Sequence, residues 1–182
     1  MIKFGVTLLL ASTAFASTDG KCRALVLSGG SNNGAWETGV IWGLAHYSSD
    51  PSDFAWDVVS GVSAGAINTG GIATWPAGSE VEMTEWLSNK WTTITTDDIW
   101  TLREGGPFQL LFKDPSFLDD NPALNTLKDI ISDKGAINRR FAVSAVDVNT
   151  GDYIAMTQED TTFDDLAQSA LSSGSIPVVF PP

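Results

Sequence analysis

The chain has 182 residues, a net charge of −12 and seven tryptophans, long enough for one domain with a real core. The acidic balance argues against nucleic acid and against electrostatic docking on anionic lipid, and leaves neutral or zwitterionic lipid open through at most peripheral membrane contact. Cys22 is the single cysteine, which rules out an intrachain disulfide and a cysteine-based zinc site.

The opening "MIKFGVTLLLASTAFASTDG" has the form of a secretory signal. Lys3 is the positive start, Phe4 to Ala11 an apolar stretch too short to span a bilayer, and Ala14-Phe15-Ala16 a small-residue cleavage site. A buried N-terminal strand or helix is the alternative. On the signal reading, residues 1–16 are removed, 17–23 form a short lead-in and 24–182 the folded domain. The mature protein is then expected in the secretory-pathway lumen or outside the cell.

"RALVLS" (23–28) reads as a buried strand ended by glycines, and "GAWETGVIWGLAHYSS" as a helix whose apolar stripe is Trp36, Val40 and Leu44, with Ile41 beside it. "FAWDVVS" (54–60) reads as a second strand and "AGAINTGGIATW" as a helix of small residues. Strand, helix, strand, helix in this order predicts an α/β fold with a parallel sheet and crossover helices. "SEVEMTEW" opens a further helix with a capping box of Ser79 and Glu82. Asn121-Pro122 starts another, with Leu124, Leu127 and Ile131 as its stripe. Residues 139–157 read as two strands joined by Asn149-Thr150-Gly151, and a Thr162 to Asp165 box starts a helix through about Ser172. In the closing "IPVVFPP", Pro177 forces extended backbone before it. The tryptophans read first as core packing, and the segment Trp75 to Phe117 is the candidate cover over a site.

Chemistry concentrates in "VVSGVSAGAINTGG" (58–71), where Ser63 stands in Gly61-Val62-Ser63-Ala64-Gly65. Gly-x-Ser-x-Gly between a strand and a helix is the pattern of a nucleophile elbow: the glycines allow a sharp turn, and the helix N-terminus favours negative charge at the serine. A tight turn with a structural serine is the plainer alternative. Gly29-Gly30-Ser31-Asn32-Asn33-Gly34, between the first strand and first helix, has three readings. A phosphate-binding P-loop fails, because Ala35 and Trp36 follow where Lys and Ser/Thr are needed. A dinucleotide fingerprint is weak, because Ser31 replaces its third glycine. An oxyanion hole built from the amides around Gly29, Gly30, Ser31 and Gly34 fits best, since adjacent parallel strands bring this loop beside Ser63. The single histidine, His46, precedes Ser63 at the end of a helix and reads as a surface residue. With no histidine after the serine and no Ser-x-x-Lys pattern, a carboxylate is left as the base.

These residues resemble the patatin-like phospholipases. That family combines an Asp-Gly-Gly-Gly-x-Arg/Lys-Gly loop, a Gly-x-Ser-x-Gly elbow and a catalytic Asp in Asp-Gly-Gly/Ala, a Ser–Asp dyad without histidine. "SGGSNNG" matches the first motif loosely and "GVSAG" the second fully, while "ETGVIWGL", "VSAVDVNTG" and "SALSSGSIPVVFPP" resemble later family segments, so that the resemblance spans about 24–182. It implies a three-layer sandwich with a mostly parallel sheet and helices on both faces. It also implies a lipid acyl hydrolase with Ser63 as nucleophile and no metal or organic cofactor. Ser28, Ser31 and Asn33 depart from the family's Asp, Gly and basic residue. The sequence reaches Pro182 before any Asp-Gly-Gly/Ala, so the catalytic Asp is expected beyond residue 182 and the fold is expected to be incomplete at its C-terminus. Asp147, Asp152, Asp164 and Asp165 match no family position. Two other readings stay open: an inactive fragment or lipid- or partner-binding relic of the family, and a different serine hydrolase using one of those four carboxylates.

Overall fold

The computed structural model describes residues 20–103 and 116–181. The expected signal at 1–16 and part of the tryptophan-rich segment, 104–115, lie outside them. The main sheet takes the order β1 (Ala24–Leu27), β2 (Val58–Gly61), β5 (Arg140–Val146), β6 (Tyr153–Thr157). Its first three strands are parallel and β6 is antiparallel to β5. A two-stranded ribbon, β3 (Thr101–Leu102) with β4 (Leu118–Asp119), stands apart. The helices are α1 (Asn33–Tyr47), α2 (Ala64–Ala73), α3 (Glu80–Thr93), α4 (Asn121–Ser132) and α5 (Leu166–Gly174). A mostly parallel sheet flanked by helices is the architecture that the strand–helix alternation predicts.

Register sorts the sheet's two faces. Leu25, Val59 and Phe141 lie abreast, as do Leu27, Gly61 and Val143. Val59, Phe141 and Val143 are fully buried on this face, which α2 and α5 cover. The alternate residues point the other way, and there Val26 is 75% and Tyr153 70% exposed. Between β5 and β6 the expected turn forms: Asp147 Oδ1 accepts the N–H groups of Asn149 (2.8 Å) and Thr150 (3.2 Å), and Gly151 takes φ 78°.

Local chemistry shifts several predicted features. The second strand begins at Val58 rather than Phe54, because Asp50-Pro51 starts a 3₁₀ turn whose Asp50 carboxylate accepts both the N–H and the hydroxyl of Ser52. Helix α4 is capped at Asp120, one residue earlier than predicted, with Ala123, Leu127 and Ile131 buried. At α5, Thr162 and Asp165 bond reciprocally, the hydroxyl donating at 2.6 Å and accepting the Asp165 N–H at 3.3 Å, and the helix proper begins at Leu166. At the chain's end Phe117 and Leu118 donate N–H bonds to the carbonyls of Val178 and Val179, holding Val178 at φ 74°, a left-handed conformation strained for a β-branched residue.

The Ser79–Glu82 capping box does not form, since the Ser79 side chain makes no cap bond. The neighbouring Glu80 is drawn inward instead. Its Oε1 pairs with the Arg139 guanidinium at 3.1 Å and its Oε2 accepts the Gly78 N–H at 2.8 Å. Arg139 also donates to the carbonyls of Trp75, Trp56 and Pro76. Burial pushes the Glu80 carboxyl up and the Arg139 guanidinium down, each against the pull of its partner.

Helix α1 buries Ile41 as predicted but turns the rest of its predicted stripe outward. Trp36, Val40 and Leu44 point outward, with Trp36 71% and the following Tyr47 81% exposed, while Gly34, Glu37, Thr38, Ile41 and Ala45 are buried. Close approach decides this. A Cβ at Gly34 would stand 2.7 Å from the Trp91 ring, so only a small residue admits α3 there. Glu37 and Thr38 join a buried polar network that an outward face would leave unmade.

Candidate active site

Strand β2 ends at Gly61 and α2 begins at Ala64, and Ser63 occupies the corner at φ 53°, ψ −122°. The turn packs main chain against main chain. A Cβ on Gly61 would lie 2.2 Å from the Gly65 carbonyl oxygen, and one on Gly65 2.6 Å from that of Leu27. Glycine at both positions is therefore a steric requirement, not a matter of flexibility. Ser63 is half-buried and stands at the cap of α2, where the positive end of the helix dipole faces it. Its N–H donates to Ser173 Oγ at 2.8 Å. Among the described residues, its hydroxyl has no hydrogen-bond partner.

The loop after β1 meets this corner. A Cβ on Gly29 would sit 3.0 Å from Ser63 Cβ and 3.7 Å from its Oγ. Two short bonds shape the loop, Asn33 N–H to the Gly30 carbonyl (3.0 Å) and Gly34 N–H to that of Ser31 (3.2 Å). Among the described residues, the amides of Gly29, Gly30 and Ser31 donate to no protein acceptor.

A buried carboxylate ties loop to elbow. Glu37 Oε1 accepts the Ser28 N–H at 2.9 Å, and Oε2 accepts from Asn68 Nδ2 on α2 at 3.2 Å. Asn68 Nδ2 also donates to the Gly34 carbonyl (3.0 Å), and its Oδ1 accepts the Trp91 indole N–H (2.8 Å). Both ends of the loop and the helix behind Ser63 thus share one network with α3, buried at Asn68 and Glu37 and open to solvent at Ser28.

Ser31, Asn32 and Ser63 line a cavity of about 600 Å³ whose other walls are largely apolar, with Ile67, Leu87, Trp91, Ile99, Leu127 and Phe180 among them. That volume is in the range of small-molecule sites. The patatin-like phospholipase family model matches residues 25–182. The chain belongs to the patatin-like phospholipase family. No curated protein matches it. Membership makes this a chain of a lipid acyl hydrolase family, whose substrates are lipids.

Within this patatin-like fold, Ser63 and the loop of Gly29, Gly30, Ser31 and Gly34 come together, while the other titratable candidates lie elsewhere. The His46 ring stacks on Trp42, with Nδ1 2.8 Å from the Trp42 carbonyl and Nε2 3.3 Å from Glu85. Asp147 closes the β5–β6 turn and Asp165 bonds Thr162. His46, Asp147, Asp152, Asp164 and Asp165 are all absent from the cavity wall. Among the described residues, the carboxylate that does line it is Asp120, which sequence reading missed. Burial raises its pKa, and the neighbouring Asp119 adds to the shift. Its only sequence signal is its place before Asn121-Pro122, one of a cap and not of a cavity.

The family departures have local accommodations. Ser28 spends its N–H on Glu37. Ser31 adopts φ 56°, the left-handed region glycine enters freely. The Asn33 side chain lies over Gly30, where a Cβ would meet Asn33 Cβ at 3.0 Å.

Proposed function

We propose that this chain hydrolyses carboxylic esters of lipids with Ser63 as nucleophile. The single observation carrying the reading is the contact of the Gly29 backbone with a strained Ser63 corner that opens on an apolar cavity. The Ser63 oxygen attacks the ester carbonyl. Its proton passes to the carboxylate of the family's Asp-Gly-Gly/Ala motif, a motif that residues 1–182 do not contain. The free amides of Gly30 and Ser31 hold the oxyanion. Collapse of the tetrahedral intermediate expels the alcohol portion of the lipid, and water then attacks the acyl-serine to release the fatty acid.

A fluorophosphonate probe applied to the full-length protein tests this. Peptide mapping is expected to find the adduct on Ser63. Labelling elsewhere overturns the assignment, and a folded protein that takes no label favours the lipid-binding relic.

The exposed row on α1 supports neutral or zwitterionic lipid as the substrate surface. Trp36, Val40, Leu44 and Tyr47 carry no charge, the one acidic side chain of the helix, Glu37, is buried, and the chain's net charge is −12. Sedimentation with phosphatidylcholine vesicles is expected to carry the protein down. Trp36→Ala should weaken that binding about tenfold while leaving stability unchanged. Stronger binding to phosphatidylserine vesicles, or an unaltered Trp36→Ala variant, rules the preference out.

A further inference from the structure

Ser173, near the end of α5, reaches the elbow from a distant part of the chain. Its Oγ accepts the Ser63 N–H at 2.8 Å and donates its own proton to the Ser144 carbonyl on β5. A serine hydroxyl has one proton to give and lone pairs to receive, so these two bonds fix its direction. Ser144 itself is buried, and Leu171 and Gly174 on the same helix line the cavity. The elbow is thereby fastened to the strand next to β2 and to a helix of the cavity wall.

The need for such a fastening follows from the corner's geometry. At φ 53° the Ser63 amide has left the β2 ladder, and α2, which begins one residue later, gives it no acceptor. A screened N–H with no partner is costly, and so is left-handed backbone at a residue with a side chain. We infer that Ser173 is a positioning residue: its hydroxyl holds the Ser63 amide, and through it the side chain, in the orientation from which Oγ attacks. This rests on the reading of Ser63 as nucleophile. It also assigns the amides by role. The Ser63 N–H is committed to Ser173 and is not available to an oxyanion.

The test compares wild type, Ser173→Ala and Ser173→Thr in the full-length protein, by the second-order rate of fluorophosphonate labelling and by ester kinetics, with thermal melting in parallel. Ser173→Ala is expected to label roughly 10- to 100-fold more slowly, as a small misplacement of a reacting group does. Its kcat should fall by a similar factor, with KM within about twofold of wild type. Ser173→Thr, which keeps the hydroxyl, should recover most of the rate. Equal labelling of wild type and Ser173→Ala overturns the inference, and so does a threonine variant as slow as alanine. If the alanine variant does not fold, Ser173→Val and Ser173→Thr, matched in shape, make the same comparison: a slow valine and a fast threonine support the role, and equal rates overturn it. A wild type unlabelled at Ser63 strikes the nucleophile assignment itself, an outcome distinct from any difference among the variants.

Discussion

Replacing Ser63 with alanine is expected to lower ester hydrolysis by the full-length protein roughly 10⁴- to 10⁶-fold, the loss typical of removing a covalent nucleophile. The fold should barely register the change. The Ser63 hydroxyl bonds to no other described residue, its Cβ packs against Gly29 as alanine's would, and the amide bond to Ser173 Oγ does not involve the side chain. Melting is therefore expected to stay within about 0.5 kcal/mol of wild type, as for substitutions away from buried features. Fatty-acid release from phosphatidylcholine, measured beside a melting curve, checks both halves. An alanine variant keeping a tenth of the activity or more excludes Ser63 as the attacking group.

The largest expected effect on stability comes from Gly61→Ala. The added methyl would lie 2.2 Å from the Gly65 carbonyl oxygen, 2.3 Å from its carbon and 2.6 Å from Thr69 Oγ1. None of these can retreat easily. Gly65 is itself pressed against the Leu27 and Ser28 carbonyls, and Thr69 is fully buried. Separation of β2 from α2 is the remaining relief, at a cost of about 4 kcal/mol or more. Urea unfolding should show a midpoint far below wild type, or no folded baseline. Gly39→Ala is the control: on α1, with nothing within 4 Å of the added methyl, it should be neutral or stabilising by about 0.5–1 kcal/mol. Similar destabilisation at both positions contradicts the steric account.

What was legible in the sequence is what local geometry dictates. Gly61 and Gly65 announce the corner because no other residue fits it, and β1–α1–β2–α2 could be read from runs of apolar and small residues. The α1 face was misread for an identifiable reason. Periodicity weighs large apolar side chains, whereas burial here follows a small residue that admits Trp91 and a polar network built on Glu37 and Asn68. The Ser79–Glu82 box does not form, and the Ser79 N–H that Glu82 would accept is given to the Pro76 carbonyl instead. Ser173 and Asp120 could not be found at all. Each is set by tertiary placement, one against the Ser63 amide and the other in the cavity wall; the neighbours of Ser173 are those of an ordinary helix residue and those of Asp120 mark only a cap.

One consequence follows from how the corner is made. The contacts that bring residues 29, 61, 63 and 65 together are chiefly between peptide groups, whereas the enclosure beyond them is shaped by side chains such as Leu87, Leu127 and Phe180. On the reading of Ser63 as nucleophile, reactivity rests chiefly on the peptide groups of the corner and the choice of acyl group on these wall side chains. Exchanging one bulky wall residue for another can reshape the space offered to a fatty chain while the reacting centre stays as it is.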